Sequence, residues 1–420
     1  MLSALLDSIK SQFGSKSYWL GCMLPLILFL AANAWVAYPH CQWIGDLLPQ
    51  VDSWDQKTLK YGAMLALLLA VAYILSTTTA VQLRMIEGTV PPLSWFSQIL
   101  CPVHARALRT LDSDFREARD SLFALEDSRE RWLRMLERSA EAGEQAPPLA
   151  KGQTLRASGT IAKLMGKQEK GLIIELDELR RAVAELSVDL ASYRRGKKGD
   201  LFDAEINLRS ALQYAMDRYK FDVRRLQKRR QVNFPGVRLD APDPPEGGVA
   251  IDLLAPTAMG NIGRTIGTYS LVRYGMDLDI FWTRLQSSLQ KDSKDYYTVL
   301  QDSKVQVDSM VTMFWFSVLF TLYWANALVF YFQDATVREF LTVSISGTVS
   351  VVAFYLLACE AYRVFADVMR ASVDLMRFQV LQALHLSLPA GIDEEKDLWF
   401  RLGNATGFLE PESFQYKHPS

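Results

Sequence analysis

The chain has 420 residues, half of them hydrophobic, and its 46 basic and 47 acidic residues leave a formal charge of −1. No strongly basic domain is present to displace counterions from a polyanion, which excludes nucleic acid as a bulk partner. Cysteines at 22, 41, 101 and 359 are too scattered along the chain for a disulfide framework.

Four long apolar runs lie in two pairs, one pair at each end. The first run, Tyr18 to Tyr38, carries no formal charge. At about 1.5 Å per residue it crosses a hydrocarbon core about 30 Å thick. The second, Tyr61 to about Leu83, follows almost at once, so a spanning hairpin is favoured over a cleaved signal peptide, whose apolar core runs about 7–15 residues. The second pair, about Met310 to Phe332 and about Phe340 to Cys359, is joined by the short linker Gln333 to Glu339, which requires antiparallel neighbours.

The connectors within the pairs carry only Lys57, Lys60 and Arg338, so all but three of the 46 basic residues lie on the other side. The positive-inside rule then predicts that both termini and the central region are cytoplasmic. The fold class expected is an all-α integral membrane protein, with two transmembrane hairpins flanking a cytoplasmic helical bundle. Its divisions are 1–17, 18–83, 84–309, 310–359 and 360–420: N-terminus, first hairpin, cytoplasmic domain, second hairpin, and C-terminal helix with tail.

After the second span, Pro91, Pro92 and Pro102 predict breaks, with an interfacial apolar segment around Trp95 and Phe96 between them. Leu108, Leu111, Phe115, Ala118, Leu122 and Leu125 then form a heptad stripe, which predicts a helix from about Val103 to Ala142. Gly152, Gly159 and Gly166 read as a linker. A cleaner seam, Leu172, Leu176, Leu179, Val183, Leu186, Leu190 and Tyr193, stops at Gly196 to Gly199, and Asp200 caps a third helix to about Gln231. Such coiled-coil-like seams pack on one another in an antiparallel bundle, or on the same seam of a second copy in a homo-oligomer. The cations Arg224 to Arg230 either complement their helix terminus or meet lipid phosphate or an acidic cytoplasmic partner.

No catalytic constellation is legible. The four histidines are spread along the chain without cysteine or carboxylate at metal-ligand spacing, and no nucleophile elbow or phosphate loop occurs. The expected cofactor and metal complement is therefore none. The densest segment is Leu253 to Gln286, where Pro256-Thr257 predicts a helix start and Gly260, Gly263 and Gly267 permit close backbone approach. Arg264, Arg273, Tyr274, Asp277, Trp282 and Arg284 make a candidate anion, lipid-headgroup or partner site. The alternative is a tightly packed elbow that fixes the bundle to the membrane helices.

Pro256-Thr257, Gly260-Asn261, Arg264, Tyr269, Arg273-Tyr274-Gly275, Asp277, Trp282 and Arg284-Leu285 make a pattern that resembles a family of uncharacterised bacterial inner-membrane proteins. The likeness extends to Glu87-Gly88, Tyr362, Asp374-Leu375, Arg377 and Leu388-Pro389, and covers roughly Leu83 to Leu402. Thr283 stands where that family's proline is expected, and Thr89 where an aromatic is expected. The resemblance implies the four-span architecture and a place in the bacterial inner membrane. It implies no activity and no catalytic residue.

Two function classes remain. One is an oligomeric, membrane-anchored sensor, scaffold or gated pore responding through its cytoplasmic helices. Thr321, Asn326, Ser344, Ser346, Thr348 and Ser350 in the last two spans would then pack helices or line a wet path. The other is a membrane-surface enzyme acting on lipid or envelope precursors, drawing on Arg264, Arg273, Asp277, Asp279 and Arg284. Beyond the fourth span, Glu360, Arg363, Asp367, Arg370, Asp374 and Arg377 recur at helical spacing with alternating sign. A helix from Phe340 to about Leu386 is predicted, whose charge stripe is either a solvated ladder or docks on the cytoplasmic helices.

Overall fold

The computed structural model describes residues 19–38, 40, 54–141, 156–170, 174–192, 198–234, 254–332 and 335–406. Among these residues the chain forms eleven α-helices and no strand. It divides into two compact units, residues 107–230 and the remainder on either side. Both cuts fall inside the 84–309 segment.

The larger unit holds the apolar helices. Among the described residues three are long and apolar enough to cross a membrane: Ala66–Glu87, which ends α2 (Trp54–Glu87), then α9 (Lys294–Phe330) and α10 (Val337–Ala383). The first apolar run yields a shorter helix, α1 (Leu24–Ala37), behind a π-helical turn at Trp19–Met23. Pro25 in the first turn of α1 has no N–H to return to the preceding turn, where the helix widens.

Indole donors tie these helices together. Trp324 Nε1 donates to Asn33 Oδ1 at 2.9 Å and Trp315 Nε1 to the Gln82 carbonyl at 3.2 Å. Phe29 and Phe316 stack with centroids 4.4 Å apart. At Gly347, α9 and α10 approach so closely that a Cβ would meet Thr321 Oγ1 at 2.2 Å. The hydroxyls of Thr321, Ser346, Thr348 and Ser350 and the amide of Asn326 donate to carbonyls of their own helix. Their polarity is spent locally, where a partner three or four residues back is always within reach.

α10 is one helix of 47 residues, about 70 Å long. A capping box starts it, with Thr336 Oγ1 accepting from Glu339 N and Glu339 Oε2 from Thr336 N. It stops before Pro389, where His385 takes φ 57° and the Leu386 N–H reaches back to Leu381 O. Around its C-terminal half pack α7 (Ala258–Tyr274), α8 (Leu278–Asp292) and α11 (Ile392–Thr406). Their shared core contains Phe281, Leu285, Leu289, Met376, Val380 and Trp399.

The smaller unit is a helical bundle. It draws on α3 (Ser97–Glu141), α4 (Arg156–Glu169), α5 (Leu176–Ser192) and α6 (Lys198–Asn233). Leu125, Ile161, Leu164, Leu179, Leu186, Leu208 and Leu212 form its core. The Leu108 stripe is buried where expected, at Leu108, Leu111, Phe115 and Leu125. In the second seam Leu179 and Leu186 are buried and Val183 packs against them, whereas Leu172 and Tyr193 lie outside the described residues.

Two local expectations are corrected. Gly159 and Gly166 belong to α4, not to a linker, because burial of Ile161 and Leu164 outweighs the roughly 1 kcal/mol that each helical glycine costs. Pro102 does not break the chain either, since α3 begins at Ser97 and runs through it. So near the start of the helix, the missing N–H deprives only the Gln98 carbonyl of a donor. Among the cations ending α6, Arg230 is buried, with its Nε 2.7 Å from Asp112.

Candidate functional site

The Pro256 segment folds into an elbow that clamps the end of α2. Thr257 caps α7 by accepting from Gly260 N at 2.9 Å. Asn261 is fully buried and holds the entering loop. Its Oδ1 accepts from Ala255 N at 2.8 Å, and its Nδ2 donates to the carbonyls of Ala255 and Thr257 at 3.1 and 3.0 Å. Cys101 Sγ donates to the Leu254 carbonyl at 3.5 Å.

Two glycines set the approach. A Cβ on Gly260 would lie 2.1 Å from the Glu87 carbonyl oxygen. Gly88 has φ 76°, and a Cβ there would meet Pro256 Cγ at 2.3 Å. Above the elbow the Tyr362 hydroxyl of α10 donates to Glu87 Oε1 at 2.5 Å. Residues separated by hundreds of positions, Glu87-Gly88, Pro256 to Gly263 and Tyr362, therefore meet at one point.

Beside this point a groove of about 710 Å³ opens between α7, α8, α9 and α10. Glu87, Arg264, Asp279, Trp282 and Lys304 bring both charge signs and one indole to it, over a floor of Ile266, Phe365 and Met369. Lys304 is held by Asp308 at 2.8 Å. Of the sequence-derived site residues, Arg264, Asp279 and Trp282 line this groove.

The others lie elsewhere. Asp277 caps α8 by accepting from Asp279 N at 2.9 Å. Arg284 is exposed, donates to the Ile280 carbonyl at 3.0 Å and sits over the Phe281 ring. Arg273 and Tyr274 join the charge stripe of α10 instead. Asp374 accepts from Tyr274 at 2.7 Å and from Tyr269 at 2.9 Å, and Arg273 donates to the Tyr269 hydroxyl at 2.8 Å. Burial first, then the Asp374 carboxylate, push both phenols above their ordinary range.

Every member of the stripe has a contact. Arg363 pairs with Glu360 and donates to Asn233 Oδ1 at 2.8 Å. Arg370 is buried, donates to Thr265 Oγ1 at 2.9 Å and pairs with Asp367 at 2.7 Å. Arg377 pairs with buried Glu395 of α11 at 2.8 Å and lies over the rings of Tyr274 and Phe378. A Cβ on Gly275 (φ 76°) would strike the Lys396 carbonyl at 2.7 Å, so the start of α11 is seated directly on the end of α7.

Local pattern singles out none of Glu87, Tyr362 and Lys304, which sit in ordinary helical sequence at the edges of apolar runs; Glu87 and Tyr362 stand out only through the resemblance, and Lys304 not at all. Among the described residues no group of three or more His, Cys, Asp and Glu side chains converges to hold a metal ion. No protein-family model, curated protein or solved structure matches the chain.

Proposed function

We propose that this is a multi-pass protein of the bacterial inner membrane, with both termini cytoplasmic. It acts there as an oligomeric, membrane-anchored sensor or scaffold in which cytoplasmic helices are coupled to the spans. One observation carries the reading: α10 continues without a break from its apolar run to the docked segment at Arg370, Asp374 and Arg377. A stiff helix held at one end by α7 and α11 and at the other by α9 transmits displacement rather than absorbing it. The indole bonds from α9 to Asn33 and Gln82 extend that tie to the first hairpin.

Hydrogen exchange in detergent tests the coupling. Asp374→Ala is expected to raise exchange both in Ala258–Tyr274 and in Leu300–Thr312, where α9 enters its apolar run. Exchange raised only within a turn or two of position 374 contradicts a transmitting helix. Reporters after Gly14, Ala150 and Ser420 should read cytoplasmic, and one near Gln50 external.

A further inference from the structure

We propose that the groove beside Glu87 binds a phosphoammonium headgroup, a phosphate ester with a primary ammonium a short distance away, presented by an aminophospholipid of the inner leaflet. The inference rests on the membrane reading for its depth in the bilayer. It rests on the groove itself for its chemistry.

The chemistry follows from the charges. Arg264 and Lys304 face the groove together with Glu87 and Asp279. A simple anion would leave the carboxylates opposed to it, and a simple cation would leave Arg264 opposed. A dipolar ligand satisfies both ends, with phosphate at the cations and ammonium at the carboxylates. Lys304 spends one of its three N–H donors on Asp308, and Glu87 uses Oε1 for Tyr362, which leaves donors and Oε2 for a ligand. The Trp282 indole offers the ammonium a π face.

The depth follows from numbering along the helices. Glu87 lies just past Leu83, Tyr362 just past Cys359 and Lys304 just before Met310, which places them about 4–9 Å beyond the apolar ends. Bilayer headgroups occupy a layer of about 5–8 Å on each side of the hydrocarbon. A volume of about 710 Å³ is large enough for such a headgroup.

The test is native mass spectrometry of the full-length protein in detergent. It is titrated with phosphatidylethanolamine, phosphatidylglycerol or free phosphoethanolamine, and each variant is checked for monodispersity and melting temperature. Wild type is expected to bind phosphatidylethanolamine at least about fivefold more tightly than phosphatidylglycerol. Arg264→Ala should weaken both lipids about tenfold or more, whereas Asp279→Asn should weaken phosphatidylethanolamine alone. Trp282→Leu, which removes the π face, should weaken phosphatidylethanolamine alone and decides if Arg264→Ala does not fold. Free phosphoethanolamine binding without retention of its lipid assigns the same chemistry to a soluble source. Equal binding of the two lipids, or unchanged phosphatidylethanolamine binding in all folded variants, overturns the proposal. Because reporters near Gln50 read topology separately, a wrong topology leaves the selectivity measurement intact.

Discussion

Asp374 accepts a hydrogen bond from Tyr274 at 2.7 Å, across the contact between α10 and α7. Tyr269 and the backbone-held Arg377 complete the cluster, so one carboxylate joins two phenols and two elements. Asp374→Ala removes the acceptor and is expected to cost about 1–3 kcal/mol, or several degrees of melting temperature in detergent.

The same cluster makes stability sensitive to alkali. Both phenols are raised above their ordinary pKa of about 10, so they stay neutral in the folded chain after they would ionise in the unfolded one. Their contribution is complete below about pH 10 and is lost as pH rises toward their folded pKa values. Melting temperature followed from pH 8 to 11 should fall above about pH 10. In Asp374→Asn the fall should be shallower, because the carboxylate that disfavours the phenolates is gone.

Arg370 and Asp374 lie one turn apart on α10 but do not pair: Arg370 holds Thr265 and Asp367, and Asp374 holds the tyrosines. Arg370→Ala should lower the melting temperature by roughly 3–8 °C. The charge-swapped double variant, Arg370→Asp with Asp374→Arg, should be no better than the worse single variant. Recovery in the swap would place the two in direct contact and contradict this arrangement.

Glycines divide by what surrounds them. Gly260→Ala and Gly88→Ala drive a Cβ into the Glu87 carbonyl and Pro256, and each should cost about 1–3 kcal/mol or more. Gly166→Ala meets nothing within 4 Å in the helical interior of α4 and should stabilise its unit by about 0.4–1 kcal/mol. Melting curves of the three variants separate these outcomes.

Much of the helical layout is legible from local chemistry. Thr257 caps α7, the Leu108 stripe faces inward, and α10 begins and ends within a few residues of the expected positions. Such signals depend on neighbours three or four residues away. What is not legible depends on partners far along the chain. Nothing near Glu87 announces Tyr362, and nothing near Trp324 announces Asn33. The candidate set around Arg264 separated because α7 and α8 present different faces. Arg264 and Trp282 turn to the groove, while Arg273 and Tyr274 turn to Asp374.

Single-cysteine labelling along α10, in a background with Cys22, Cys41, Cys101 and Cys359 replaced, reads which side of the bilayer each end of this helix occupies. Arg338→Cys, Val349→Cys and Leu375→Cys all fall at exposed positions of one continuous helix. A membrane-impermeant maleimide should label Arg338→Cys in intact cells, Leu375→Cys only after permeabilisation, and Val349→Cys in neither case. Labelling of Arg338→Cys and Leu375→Cys from the same side would contradict a helix that leaves the bilayer to reach its docking site on α7.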